Sequence, residues 1–141
     1  MFSKKDFEAS NKNVNVFDYI QALFTLKKIS ADLISAVESI FRPKLIKIER
    51  ALFIEELYSK DKHQDLTVHY AKADEVTYWM NLIELTTVFD GVDYESVLLI
   101  AKALKANWVS VLANDYRDYD AEVLLIEEKE LREIYLTIRS Q

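Results

Sequence analysis

Cysteine is absent from this 141-residue chain, and glycine and proline occur once each, as Gly91 and Pro43. Without cysteine there can be no disulfide, no thiolate metal site, no cysteine nucleophile and no thiol redox switch. One glycine is too few for the turns that cradle phosphates in nucleotide-binding loops, or for the elbow that presents a nucleophilic serine. No glycine- or proline-rich linker, repeat or low-complexity tract interrupts the chain, so a single domain over residues 1–141 is expected. The lysines near the N-terminus have no apolar run behind them, and no 18 apolar residues run together anywhere. Neither a secretory signal nor a membrane-spanning helix is expected, and a cytoplasmic protein is the default.

What is present is ordinary for a globular protein: half the residues are hydrophobic and 30% are charged. The net charge of −6 is placed unevenly. Lysine and arginine outnumber acids nine to six over residues 1–50, whereas acids outnumber bases eighteen to nine over residues 51–141. An acidic majority repels phosphate backbones and favours cationic partners, so neither nucleic acid nor a membrane is an expected partner. Lys4, Lys5, Lys12, Lys27 and Lys28 lack interleaved aromatics and read as solvated helix faces.

The C-terminal stretch Tyr119–Gln141 carries the clearest structural signal. Ile134, Leu136 and Ile138 alternate with Glu133, Tyr135, Thr137 and Arg139, and Ala121, Val123 and Leu125 alternate with Glu122, Leu124 and Ile126. A period of two on each side of the charged segment 127–130 predicts a β-hairpin. Ile134, Leu136, Ile138, Val123 and Leu125 should face helices, with Leu124 and Ile126 partly exposed. On this reading Thr137 points outward, so Thr137→Asp should be mild where Leu136→Asp is costly.

Upstream, helical periodicity covers Val14–Ile29, and Ser30 caps a second helix from Ala31 to Phe41. Pro43 ends it. Residues 44–58 suit a helix or two strands; β-branched Ile46 and Ile48 favour two short strands meeting near Glu49–Ala51. The polar segment 59–73 suits a short helix or loop. Asp74 would cap a helix Glu75–Phe89 and Asp93 another, Tyr94–Ala113, with Trp79 and Trp108 on their apolar stripes and therefore in the core. Residues 1–13 are polar and expected to be loosely ordered. The fold class is thus α+β, with three to four helices packed on a small antiparallel sheet that includes the hairpin.

Chemistry is sparse. His63 and His69 lie six apart, a spacing that does not place them on one turn, and with Asp61 and Asp65 they are the only candidates for a metal-assisted hydrolase. Asn114–Asp120 has the acidity of a calcium loop but puts Arg117 where a ligand belongs and lacks the turn glycine. No metal, cofactor or catalytic residue is assigned, and an enzyme is not expected. The remaining candidate site is the connector before the hairpin: Asp115, Tyr116, Asp118, Tyr119, Asp120 and Glu122 mix tyrosine anchors with carboxylates outside the apolar stripes. The expected function is a small acidic protein-binding module, of the immunity or antitoxin type that masks a basic partner. A metal-assisted hydrolase and a structural homodimer, with Leu124 and Ile126 on its seam, are the alternatives.

Overall fold

A computed structural model describes residues 2–141 and gathers the chain into two compact units, Met1–Glu38 and Ser39–Gln141. The smaller unit is helical. Helix α1 (Lys4–Ser10) stands where irregular polar chain was expected, with the Ser3 hydroxyl accepting from the Asp6 amide. Helix α2 (Val16–Thr25) opens on a reciprocal cap. The Asn15 side chain accepts from the amides of Phe17 and Asp18, and the Asp18 carboxylate accepts from the Asn15 amide. It closes through Lys27 at φ 53°, with the Lys28 amide returning to Leu23 O. Phe2, Phe7 and Tyr19 cluster at ring separations of 5.7–5.8 Å. Helix α3 (Ala31–Phe41) starts where predicted, with the Ser30 hydroxyl accepting from the Leu33 amide, and its last three residues, from Ser39 on, belong to the larger unit.

The larger unit is α+β. Strands β1 (Leu45–Ile48) and β2 (Ala51–Ile54) form the expected short hairpin, turning through Glu49 at φ 56°, a left-handed conformation unfavourable for a residue with a side chain. Helix α4 (Lys60–His69) follows, then α5 (Ala73–Met80), the two-residue strand β3 (Ile83–Glu84) and the single turn α6 (Leu85–Val88). Helix α7 (Tyr94–Asp115), capped by Asp93, leads to the long hairpin of β4 (Ala121–Glu128) and β5 (Glu133–Ser140). The three-stranded sheet runs β3-β5-β4, all antiparallel, with β5 central.

The main core lies between α7 and this sheet. Val97, Ala101, Leu104, Trp108 and Leu112 of α7 meet Val123, Ile134, Leu136 and Ile138, joined by Leu52, Ile54 and Leu85. The Trp108 indole is buried, and its Nε1 donates to Ile40 O at 2.8 Å. By length and hydropathy α7 would suffice to cross a membrane, a property the unbroken-run criterion misses because Lys102 and Lys105 interrupt it. The five residues of its core stripe contribute to that hydropathy. A second cluster, Ala51, Phe53, Val76 and Met80, sits between β2 and α5. Alternate residues of β2 therefore enter different clusters, which is why all four are buried.

Three expectations are corrected here. The helix Glu75–Phe89 is broken after Met80, and Asp74 lies in the first turn of α5 rather than at its cap. The break is caused by Asn81, whose buried side chain accepts from Ile54 N (2.8 Å) and donates to Leu52 O (3.0 Å) and Ile138 O (2.9 Å). Trp79 is 41% exposed rather than core, stacked on Tyr70 at 6.0 Å. Thr137 is fully buried, because α5 covers its side of β5 and its hydroxyl donates to Tyr78 O at 2.8 Å. The main-core face of β5 follows the predicted alternation; the opposite face is not simply solvated.

Candidate functional site

The connector between α7 and β4 is built as a tight, partly neutralised loop. Tyr119 N bonds Tyr116 O, and Gln141 N bonds Asp120 O, both at 3.0 Å, which fixes the loop to the end of the sheet. Tyr116 and Tyr119 are half-buried against the main core and meet edge to face at 6.4 Å. The Lys47 ammonium lies 5.5 and 5.4 Å from the two ring centroids, and the Tyr116 hydroxyl approaches Leu45 O at 3.4 Å. Asp115 pairs with Arg42 at 3.2 Å, and Glu122 pairs with Arg139. Of the predicted residues, only Asp118 and Asp120 remain as exposed carboxylates with no ion pair to any described residue. The tyrosines are thus structural as well as accessible, and two of the four acids have their charge met within the chain. The loop and α7 border an open groove that includes Val109, Ala113 and Val123.

A denser concentration of negative charge lies at the far end of the hairpin. Residues directly opposite in an antiparallel pair share a face, so the register sets Ile126 beside Tyr135 and Glu128 beside Glu133, with Glu84 on the other flank of Tyr135. Glu84, Glu128 and Glu133 make no ion pair with any described residue. Glu133 accepts a 2.6 Å hydrogen bond from the Tyr135 hydroxyl. That bond, then desolvation of the phenol, then the charges of Glu133, Glu84 and Glu128 push the Tyr135 pKa up to about 12. Two glutamates facing each other across strands are destabilising by themselves. Leu124 and Ile126, partly exposed on the same face, supply adjoining apolar surface, as the strand alternation predicts.

Sequence reasoning missed this group because it assigned the segment 127–130 to a connector. Extending β4 to Glu128 and pairing it with Glu133 would have exposed the like-charge contact. Glu84 had no such signal, since it was placed inside a helix.

The histidine segment does not assemble. The His63 Nδ1 meets the Tyr58 hydroxyl at 3.0 Å, and its ring centroid lies 5.0 Å from that of Phe53. His69 Nδ1 meets the backbone oxygen of Asp65 at 2.8 Å. Among the described residues no three His, Asp or Glu side chains are placed to share a metal ion. The chain matches no known protein family, no curated protein and no solved structure.

Proposed function

We propose that this chain is a protein-binding module that presents the outer face of its C-terminal hairpin to a basic partner, as an immunity or antitoxin protein masks a cationic surface. The observation carrying this reading is the uncompensated group Glu84, Glu128 and Glu133 around Tyr135. Carboxylates held close together without counter-ions cost the fold something that a cationic partner would offset. The partner class follows from charge. Residues 1–38 hold five lysines and five acids, so the whole net charge of −6 belongs to residues 39–141. Asp118 and Asp120 lie toward the opposite end of the same hairpin and extend the negative field, which would speed encounter with a basic protein.

The test is capture of a basic protein from the native cytosol by the full chain, followed by association kinetics at two salt concentrations. The triple variant Glu84→Gln, Glu128→Gln, Glu133→Gln should associate more slowly than the parent, with a flatter salt dependence. If the triple variant and the parent bind alike at both salts, the hairpin face is not the site.

A further inference from the structure

Strand β4 is the outer strand of the three-stranded sheet, and one of its edges meets no other strand. The hydrogen bond from Gln141 N to Asp120 O fixes the parity of the ladder. With Ala121 opposite Ser140, the backbone groups of Glu122, Leu124, Ile126 and Glu128 point to β5. Those of Ala121, Val123, Leu125 and Glu127 point away from the sheet. The far side of β5 agrees, since Ile138 O and Ser140 N bond Asn81 and Thr77 rather than β4. Among the described residues no other backbone pairs with the outward groups. The edge lacks the usual guards: its register has no bulge, and it carries neither proline nor lysine. The groove beside α7 is lined by Val109, Leu112 and Ala113 of that helix, by Arg117 of the connector, and by Ala121 and Val123. It also includes Glu122, from the other face of the strand, and no residue of β5, so it opens on the free edge. Every residue of this edge and groove belongs to the larger unit.

We infer that the free edge of β4 takes an extended segment of the basic partner as a fourth strand, an occupant that rests on the reading of the hairpin as the site for such a protein. Geometry sets the pattern of that segment. Residues directly opposite share a face, so partner residues that bond Ala121, Val123, Leu125 and Glu127 place their side chains on the α7 side. There the groove, Val123 and Leu125 are apolar. The residues between them lie on the outer face, beside Leu124, Ile126 and Glu128. Lysine or arginine fits that row, its stem covering the two apolar side chains and its charge reaching Glu128 and Glu133. The segment therefore alternates apolar and basic residues. A second copy of β4 does not meet this pattern. Antiparallel pairing of edge with edge sets Asp120 or Glu122 opposite Glu128 in the two registers of greatest overlap that parity allows, and like charges so placed repel.

The probe is the peptide acetyl-(Lys-Val)4-amide, together with two N-methylated forms of the same charge. Methyl groups on the valine nitrogens remove the donors that would face β4, whereas methyl groups on the lysine nitrogens block only the opposite edge. Titrated into the full chain, the valine-methylated form should bind at least about tenfold more weakly than the unmodified peptide, and the lysine-methylated form within about threefold of it. In the free chain the amides of Ala121, Val123, Leu125 and Glu127 should exchange with solvent faster than those of Leu124 and Ile126, and slow when the unmodified peptide is added. Equal binding of the three peptides, or the reverse order, overturns the inference. Charge alone would then hold them, and the acidic face would stand as the site without strand pairing. No binding, or protection that falls elsewhere in the chain, overturns it as well, while the glutamine triple variant tests the acidic face separately on the captured partner. Outward amides already slow in the free chain also overturn it, because the edge is then covered by the chain itself or by a second copy.

Discussion

The Asn81 carboxamide oxygen accepts the Ile54 amide hydrogen at 2.8 Å, while the nitrogen of the same group donates to Leu52 O and Ile138 O. One side chain therefore clips the short hairpin to the central strand of the larger sheet. Thr77 and Ser140 continue the link: Ser140 N donates to Thr77 Oγ1 at 2.9 Å, and Leu52 N donates to Ser140 Oγ at 3.2 Å. The buried polar residues Thr77, Asn81, Thr137 and Ser140 all join α5 or β2 to β5. A network of this kind stabilises when every member is satisfied and costs heavily when one is removed.

Asn81→Ala should cost about 3 kcal/mol or more, because it strips partners from three buried backbone groups at ~1–3 kcal/mol each. Asn81→Asp keeps the shape but loses both donors, and should be at least as damaging. Urea unfolding midpoints measure both. Values near those of an exposed substitution would mean the clip is dispensable.

Thr137→Asp should now be severe, several kcal/mol, comparable to Leu136→Asp, since each buries a carboxylate without a partner. Thr137→Val keeps the volume and should cost only about 1–2 kcal/mol, the loss of the bond to Tyr78 O. A mild Thr137→Asp would restore the simple alternation and contradict the packing of α5 on β5.

The two tryptophans should behave oppositely. Trp108→Ala should lower stability by about 3–5 kcal/mol, whereas Trp79→Ala should change it by about 1 kcal/mol or less. With Trp79 replaced by Phe, the remaining emission should be blue-shifted and resist acrylamide quenching. Quenching as efficient as that of a free indole would place Trp108 outside the core.

Tyr135 supplies a pH prediction. Its folded pKa is raised to about 12 from 10.0, first by the hydrogen bond to Glu133. A group raised on folding contributes stability that is complete below its unfolded pKa and is lost as pH climbs through the folded one. Stability should therefore fall between about pH 10 and 12. Glu133→Gln should bring phenolate absorbance in at lower pH and move that loss toward pH 10. An unchanged absorbance titration would show that the carboxylate is not the cause.

At the connector, charge reversal of Asp118 and Asp120 should slow association with a basic partner, and less so as salt rises. Tyr116→Ala and Tyr119→Ala should instead raise dissociation and also cost about 1–3 kcal/mol of stability, because both rings rest on the core. Stability unchanged in both tyrosine variants would detach the rings from the core. Binding unchanged in all four would leave the connector a structural link.

Local physics made much of this chain legible in its sequence. Ser30 and Asp93 start helices because their oxygens meet free amides one turn on, and Pro43 stops one because it disfavours helical geometry before it. The two hairpins were readable from β-branched residues and from a period of two in hydrophobicity. What the sequence could not decide was which side of an element would be covered. Residues 75–89 are helical by periodicity, yet Asn81 gains more from three buried backbone partners than from another helical turn. Thr137 and Trp79 exchanged their expected places because α5 packs on β5 with Thr77 and the Tyr78 backbone oxygen toward the strand and Trp79 outward. The site residues divide in the same way. Acidity and tyrosine content are read from composition. Tertiary pairing sets Arg42 on Asp115 and Lys47 over Tyr116 and Tyr119, while Glu84, Glu128 and Glu133 converge on Tyr135 without a cation. Net charge belongs to the chain, but its compensation depends on distances of a few ångströms between residues far apart in sequence.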